Sequence, residues 1–199
     1  MKKTKVGIVD YGLSGNIQSV INVVNFAGGL PEVICKAEEI SKYEKIIIPG
    51  VGSFKDGINE LTKKNFTEEI RTYSGHILGI CLGMQLLAKK GFEFGENRGL
   101  DIIDAEVKLI KCEGKIPHMG FNKIKLVRNS KLLENLENEQ FYFMHSYEFI
   151  NYTSVVALSN YGNHNFVSVI EKDKVFGVQF HPEKSRKAGI KLIKNFINL

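Results

Sequence analysis

Short apolar runs alternate with helically spaced apolar residues through the first eighty positions. Runs at 5–9, 31–35 and 45–48, and a fourth ending at Ile80, predict strands. Ile17, Val20, Ile21 and Val24, with Val23 and Ala27 beside them, mark one face of a helix over 16–27 that Gly28-Gly29 stops. Amphipathic segments at 55–63 and 66–74 predict two more helices, and a helix-forming run predicts another over 84–90. Apolar strands without polar alternation suit a parallel sheet covered on both faces. From Gly91 the pattern changes to short strand-like runs at 101–109, 122–127, 141–145, 155–159, 165–170 and 174–180. A closing helix spans 186–198, with Ser185 as its N-cap and Ile190, Ile193 and Ile197 toward the core. The expectation is an α/β fold: a largely parallel central sheet with helices on both faces and a strand-rich second half.

Composition narrows the class. A chain of 199 residues, 43% hydrophobic and 25% charged, can bury a core without staples, and one domain over 1–199 is expected. Cys35, Cys81 and Cys112 lie far apart with no C-x-x-C pair, which argues against a disulfide framework and a zinc site, and for a reducing compartment. The net charge of +5 comes from lysines scattered among glutamates, with no basic block interleaved with aromatics, so no nucleic-acid partner is expected. No stretch reaches the length of a membrane span, and the apolar run of the N-terminus is too short for a signal peptide. A cytoplasmic protein without a membrane partner, metal or cofactor is the expectation.

The candidate chemistry sits at 77–85, ILGICLGMQ. A short strand closes on Gly79-Ile80-Cys81-Leu82-Gly83, and a helix-forming run follows at once. This is the thiol version of the G-x-S-x-G nucleophile elbow, a strand-to-helix turn too sharp for anything but glycine at its flanks. It would expose Cys81 at the strand's tip, beside a helix N-terminus that favours thiolate, and aim the Leu82 N–H at a developing oxyanion. A free cysteine alone is more often inert, so a base and an orienter must be found. His181, one hundred residues on, ends an apolar strand on the same sheet edge, and Glu183, two residues further across a stiffening Pro182, can hold its tautomer. Of the other histidines, His76 precedes its strand, His164 lies in a polar turn between Asn163 and Asn165, and His118 and His145 have no carboxylate at like spacing. Pro49-Gly50-Val51-Gly52 also ends a strand, where glycines let backbone approach a ligand. Gly12 and Gly15 do not complete a dinucleotide fingerprint. Cysteine, histidine and glutamate in this order over an α/β sheet specify acyl transfer through a thioester.

Five blocks, PGVGSF at 49–54, GICLGMQLL at 79–87, PHMGFN at 117–122, FYFMHSY at 141–147 and GVQFHPEKS at 177–185, resemble the class I (triad) glutamine amidotransferases. Within that family they are most similar to the glutaminase subunits that serve histidine biosynthesis, and the likeness covers nearly the whole chain. It implies a flavodoxin-like amidotransferase fold and hydrolysis of L-glutamine to glutamate and ammonia, with Cys81 as nucleophile, His181 as base and Glu183 as orienter. It also implies an oxyanion hole from Leu82 and the Val51–Gly52 peptide, and glutamine held by Gly52, Gln85 and the backbone at Ser146 and Tyr147. The implied partner is a (β/α)8-barrel synthase in a heterodimer. It would dock on the loop 10–16, through Asn16, and on a loop carrying Pro117, His118, Met119, Gly120, Phe121 and Asn122. Two departures fall on that face: Phe121 stands where the family usually has tryptophan, and the loop 10–16 carries an extra residue. A paralogous glutaminase serving a related barrel in surface-polysaccharide synthesis therefore stays open, as does a cysteine hydrolase of the same architecture.

Overall fold

The computed structural model describes residues 3–13 and 16–199. In chain order the first half runs β1 (Lys5–Val9), α1 (Ile17–Phe26), β2 (Leu30–Ile34), β3 (Lys45–Ile48), α2 (Phe54–Lys63), α3 (Phe66–Thr72), β4 (His76–Ile80) and α4 (Leu82–Leu86). The second half adds β5 (Ala88–Gly91), β6 (Asn97–Arg98), β7 (Ile103–Leu109), β8 (His118–Lys123), β9 (Lys125–Leu126), β10 (Gln140–His145), β11 (Tyr147–Ile150), β12 (Val155–Tyr161), β13 (His164–Lys172), β14 (Val175–Val178) and α5 (Arg186–Asn198).

The main sheet has the order β2-β1-β3-β4-β14-β13-β12-β9. Its first five strands are parallel and the rest antiparallel. The order 2-1-3-4 is the flavodoxin-like winding, with β14 taking the fifth place. β4 therefore lies between two parallel neighbours, and its register sets Ile80 opposite Val178 of β14. The residues that follow β4 and β14 then emerge at one sheet edge. Each face of the sheet has its own core. Val20, Val23 and Val24 of α1 pack with Leu192, Ile193 and Phe196 of α5 on one face, and Phe54, Leu61, Phe66 and Ile70 of α2 and α3 fill the other. Two smaller sheets, β10-β8 and β11-β7-β5-β6, complete the strand-rich second half. Among the described residues no helix is long and apolar enough to cross a membrane.

Several expected elements are corrected. The helix expected over 84–90 ends at Leu86, because Ala88 to Gly91 pair with β7 and β6 instead. The segment expected as a PHMGFN loop is strand β8, paired in register with β10 from His118↔His145 to Lys123↔Gln140. Ser185 precedes α5 but makes no side-chain cap; its hydroxyl donates to the His181 carbonyl at 2.6 Å and accepts from Tyr142 N–H at 2.9 Å. On α5, Ile193 and Ile197 are buried as expected, together with Leu192 and Phe196, and only Ile190 is half-buried.

Candidate active site

The turn after β4 is built by close approach. A Cβ on Gly83 would lie 1.8 Å from the Ile48 carbonyl oxygen, and one on Gly79 would lie 2.7 Å from both Gly83 O and Met84 N. Nothing larger than glycine fits on either side, so the chain reverses with Cys81 at its apex. Cys81 takes φ 52° and ψ −108°, a conformation that costs a non-glycine residue about 1–3 kcal/mol. Its N–H is tied to Val178 O at 2.8 Å and its carbonyl to Gln85 N–H at 3.1 Å, which hold the strained residue in place. Because α4 has only five residues, a long helix dipole does not act on Cys81, and the unpaired N–H groups of the first turn, led by Leu82, supply the local positive end instead.

His181 follows β14 on the neighbouring strand. Its N–H bonds to Tyr142 O at 2.8 Å and its side chain is completely buried. The ring Nδ1 lies 2.7 Å from Glu183 Oε1, and since an ionised carboxylate only accepts, Nδ1 carries the proton and Nε2 is the atom left to exchange one. Among the described residues no group meets the buried Nε2 at full hydrogen-bond geometry. Burial pulls this imidazole down, but the neighbouring Cys81 sulfur and the hydrogen bond and charge of Glu183 outweigh it and raise its pKa to about 10. Glu183 is pushed up by burial, yet His181 and then Asn16 bring it below the usual carboxylate range. Asn16 Nδ2 donates to the same Oε1 at 2.7 Å.

The cavity beside Cys81 holds about 230 Å3 and is lined by Val51, Gly52, Leu82, Gln85, Glu93, Ser146 and Tyr147 among others. Pockets for drug-sized ligands run to about 300–1,000 Å3, so this one suits a single amino acid. Larger hollows of about 670 and 540 Å3 meet at His76, at the far end of β4, and contain no cysteine. In the cavity both N–H bonds of the Gln85 amide are committed, to Tyr147 O at 3.1 Å and Gln179 Oε1 at 3.0 Å, which leaves its own oxygen for a ligand. Tyr147 O also accepts from His145 Nδ1 at 2.9 Å, and Ser146 O accepts from Ile110 N–H at 2.9 Å. The Tyr147 carbonyl is thus fully used. Glu93, which sequence reasoning missed, brings a carboxylate to the wall, where Oε2 accepts from Phe54 N–H at 2.7 Å and burial raises its pKa. The stretch FEFGE around it has no motif that could have marked it.

At the peptide expected to serve an oxyanion hole, the Val51 N–H is engaged by Leu13 O at 3.3 Å, and Gly52 sits at φ +112°. Leu13 and Asn16 belong to the loop expected to dock a partner; Ser14 and Gly15 of that loop lie outside the described residues. Asn16 is buried against Glu183 and His118, the first residue of β8, is buried against the Tyr161 ring, so neither side chain faces outward. Pro117 lines the cavity, Gly120 is half-buried, and the half-buried Asn122 donates to Asn160 O at 2.8 Å. Of the seven residues expected at an interface, Met119 and Phe121 are the large exposed ones, with the Arg186 guanidinium 4.7 Å from the Phe121 ring centre.

A flavodoxin-like sheet thus carries a strained thiol elbow and a buried histidine–carboxylate pair at one edge, an arrangement whose chemistry suits cysteine-dependent acyl transfer. The chain belongs to the class I glutamine amidotransferases: that family's model matches residues 8–199. It is similar to the imidazole glycerol phosphate synthase subunit HisH of Aquifex aeolicus, 42% identical over 197 residues that cover 95% of this chain and 94% of that one. The HisH subunit of Caldanaerobacter subterraneus subsp. tengcongensis is 40% identical over 198 residues, 96% of each chain. Among solved structures the PurLQS structure from Thermotoga maritima aligns with a TM-score of 0.79 at 17% identity over 99% of both chains, a likeness of fold.

Proposed function

We propose that this chain is the glutaminase subunit of an imidazole glycerol phosphate synthase, working through Cys81, His181 and Glu183. The observation that carries the reading is the His181–Glu183 contact of 2.7 Å, one parallel strand from Cys81 and beside an amino-acid-sized cavity. The anionic Cys81 sulfur attacks the side-chain carboxamide carbon of glutamine, and the carbonyl oxygen takes up the negative charge facing the Leu82 N–H. His181 Nε2 passes its proton to the amide nitrogen, the C–N bond breaks, and ammonia leaves a thioester on Sγ. Water then attacks as Nε2 takes its proton, the C–S bond breaks, and glutamate leaves. Glu183 stabilises the imidazolium in both halves. Glu93 and the Gln85 oxygen face the α-ammonium group, and Gly52 lets the backbone approach.

The leaving ammonia passes to a (β/α)8-barrel synthase subunit bound as a heterodimer. Met119 and Phe121 of β8 and the loop at 10–16 form the docking face. That loop also bonds the Val51 N–H and the Glu183 carboxylate, so docking would act on both sides of Cys81. The isolated chain is accordingly nearly idle. The test is glutamine hydrolysis by the chain alone and with a histidine-pathway barrel plus its nucleotide ligand, with Cys81→Ala as control. Strong stimulation abolished by Cys81→Ala is expected. Stimulation only by a sugar-modifying barrel would keep the triad and move the pathway, and Phe121 is the residue that motivates running that arm.

A further inference from the structure

A line of buried side chains joins β8 to the nucleophile. His145 Nδ1 lies 2.9 Å from Tyr147 O, and a carbonyl only accepts, so Nδ1 carries the hydrogen and Nε2 is left as acceptor. His118 Nδ1, 3.1 Å from that Nε2, is then the donor. Burial holds both imidazoles neutral, with pKa values lowered to about 4. Tyr147 O takes its second hydrogen bond from Gln85 Nε2, whose other N–H goes to Gln179 Oε1. That contact orients the Gln179 amide. Its Nε2 is turned to Cys81 Sγ at 3.7 Å, and the flipped amide would set N–H against N–H and oxygen against sulfur. Sγ also lies 3.7 Å from Met144 O, which suits a thiol but repels the sulfur once its proton has gone.

We infer that Gln179, completely buried and outside the triad, is a positioning residue that donates to the anionic sulfur of Cys81 and holds it aimed at the cavity, its own amide fixed by Gln85, Tyr147 O, His145 and His118. The inference deepens the glutaminase reading and rests on it for substrate. The sulfur itself can be tested without glutamine.

The experiment is the pH dependence of Cys81 alkylation by iodoacetamide in the full chain, located by peptide mass spectrometry because Cys35 and Cys112 are also free. The titratable groups around Sγ are His181, with Glu183 behind it, His145 and Tyr11, so Gln179→Met changes none of them. A hydrogen bond to a charged group predicts about tenfold slower alkylation at neutral pH and a profile displaced upward by about one pH unit. Gln179→Glu, which keeps the acceptor for Gln85 and removes the donor, slows it further. With the partner barrel, kcat falls by about tenfold while KM stays within about threefold. A folded Gln179→Met with wild-type melting temperature, alkylation profile and kcat would overturn the inference. Should both variants fail to fold, the wild-type Gln179 side-chain amide signal in NMR must shift when Cys81 is alkylated; an unmoved signal is equally fatal. Wild-type chain that alkylates as expected but never hydrolyses glutamine defeats the glutaminase reading and leaves this one standing.

Discussion

The two sides of Cys81 are built to different degrees. On one side His181, Glu183 and Asn16 form a sealed series of contacts at 2.7 Å with no exposed ring or carboxylate. On the other, the Val51 N–H is given to Leu13, and Gly52 holds a backbone angle that other residues rarely adopt. On the reading proposed above, the groups for proton transfer are pre-organised and the Val51 donor for an oxyanion is not. A site of this kind keeps the parts that set chemical identity rigid and leaves to a loop the part that controls rate, since a missing oxyanion donor typically costs a factor of about 10²–10³ in kcat.

The largest effect falls on the rigid side. Cys81→Ser is expected to lower glutamine hydrolysis by a factor of at least about 10³, with glutamine still bound as read by calorimetry, because only the nucleophile is exchanged. Retained hydrolysis would remove the triad from the reaction. Gly52→Ala probes the other side. A half-turn of the Val51–Gly52 peptide would carry φ from +112° to 112 − 180 = −68°, an ordinary angle. Alanine penalises the resting angle by about 1–2 kcal/mol and so should raise partner-free kcat by about 5–30-fold. Among the described residues no side chain crowds that Cβ, the nearest atom being Leu13 Cδ1 at 4.0 Å, so the expected effect is conformational. A fall in partner-free kcat would mean that the resting angle is also the working one.

How far this contrast is legible in the chain depends on the range of the contacts. β3 and α5 fall where the apolar runs and spacing place them, because local pattern decides them. That Cys81, His181 and Glu183 come together could be anticipated because each follows or flanks a strand end at one edge of a parallel sheet. The helix expected past Leu86 failed because Ala88 to Gly91 were claimed by β7, a partner that no local window contains. Asn16 on Glu183 spans 167 residues, and Gln179 on Cys81 spans 98. Glu93 and Gln179 were invisible for the same reason: an isolated polar residue says nothing until the fold supplies its neighbour. The stretch from Pro117 to Asn122 was recognisable as a block, but its alternation of buried His118 with exposed Met119 and Phe121 needs the β10 register to be seen.

Asn16→Ala tests whether the rigid side depends on the loop. It removes a charge-assisted hydrogen bond from a buried carboxylate, so partner-stimulated kcat should fall by about tenfold with KM little changed. An unchanged kcat would confine the loop's influence to Val51.

The smallest effect separates the His181–Glu183 pair from the His118–His145 pair by pH. His181 has a folded pKa raised from 6.5 to about 10, so its stabilising contribution is full below 6.5 and is lost as pH rises toward 10. His118 and His145 are lowered from 6.5 to about 4, so theirs is full above 6.5 and is lost as pH falls toward 4. Glu183, lowered from 4.5, adds to the loss at the acid end. The melting temperature should therefore peak near pH 6.5. Glu183→Gln should make the alkaline limb shallower, and His118→Gln the acid limb only, by a lesser amount because the second imidazole remains. Melting curves of the three proteins between pH 4 and 10 check this. If His118→Gln instead flattens the alkaline limb, the two histidine pairs are electrostatically one, and the His181 side of Cys81 is not the self-contained unit that its contacts describe.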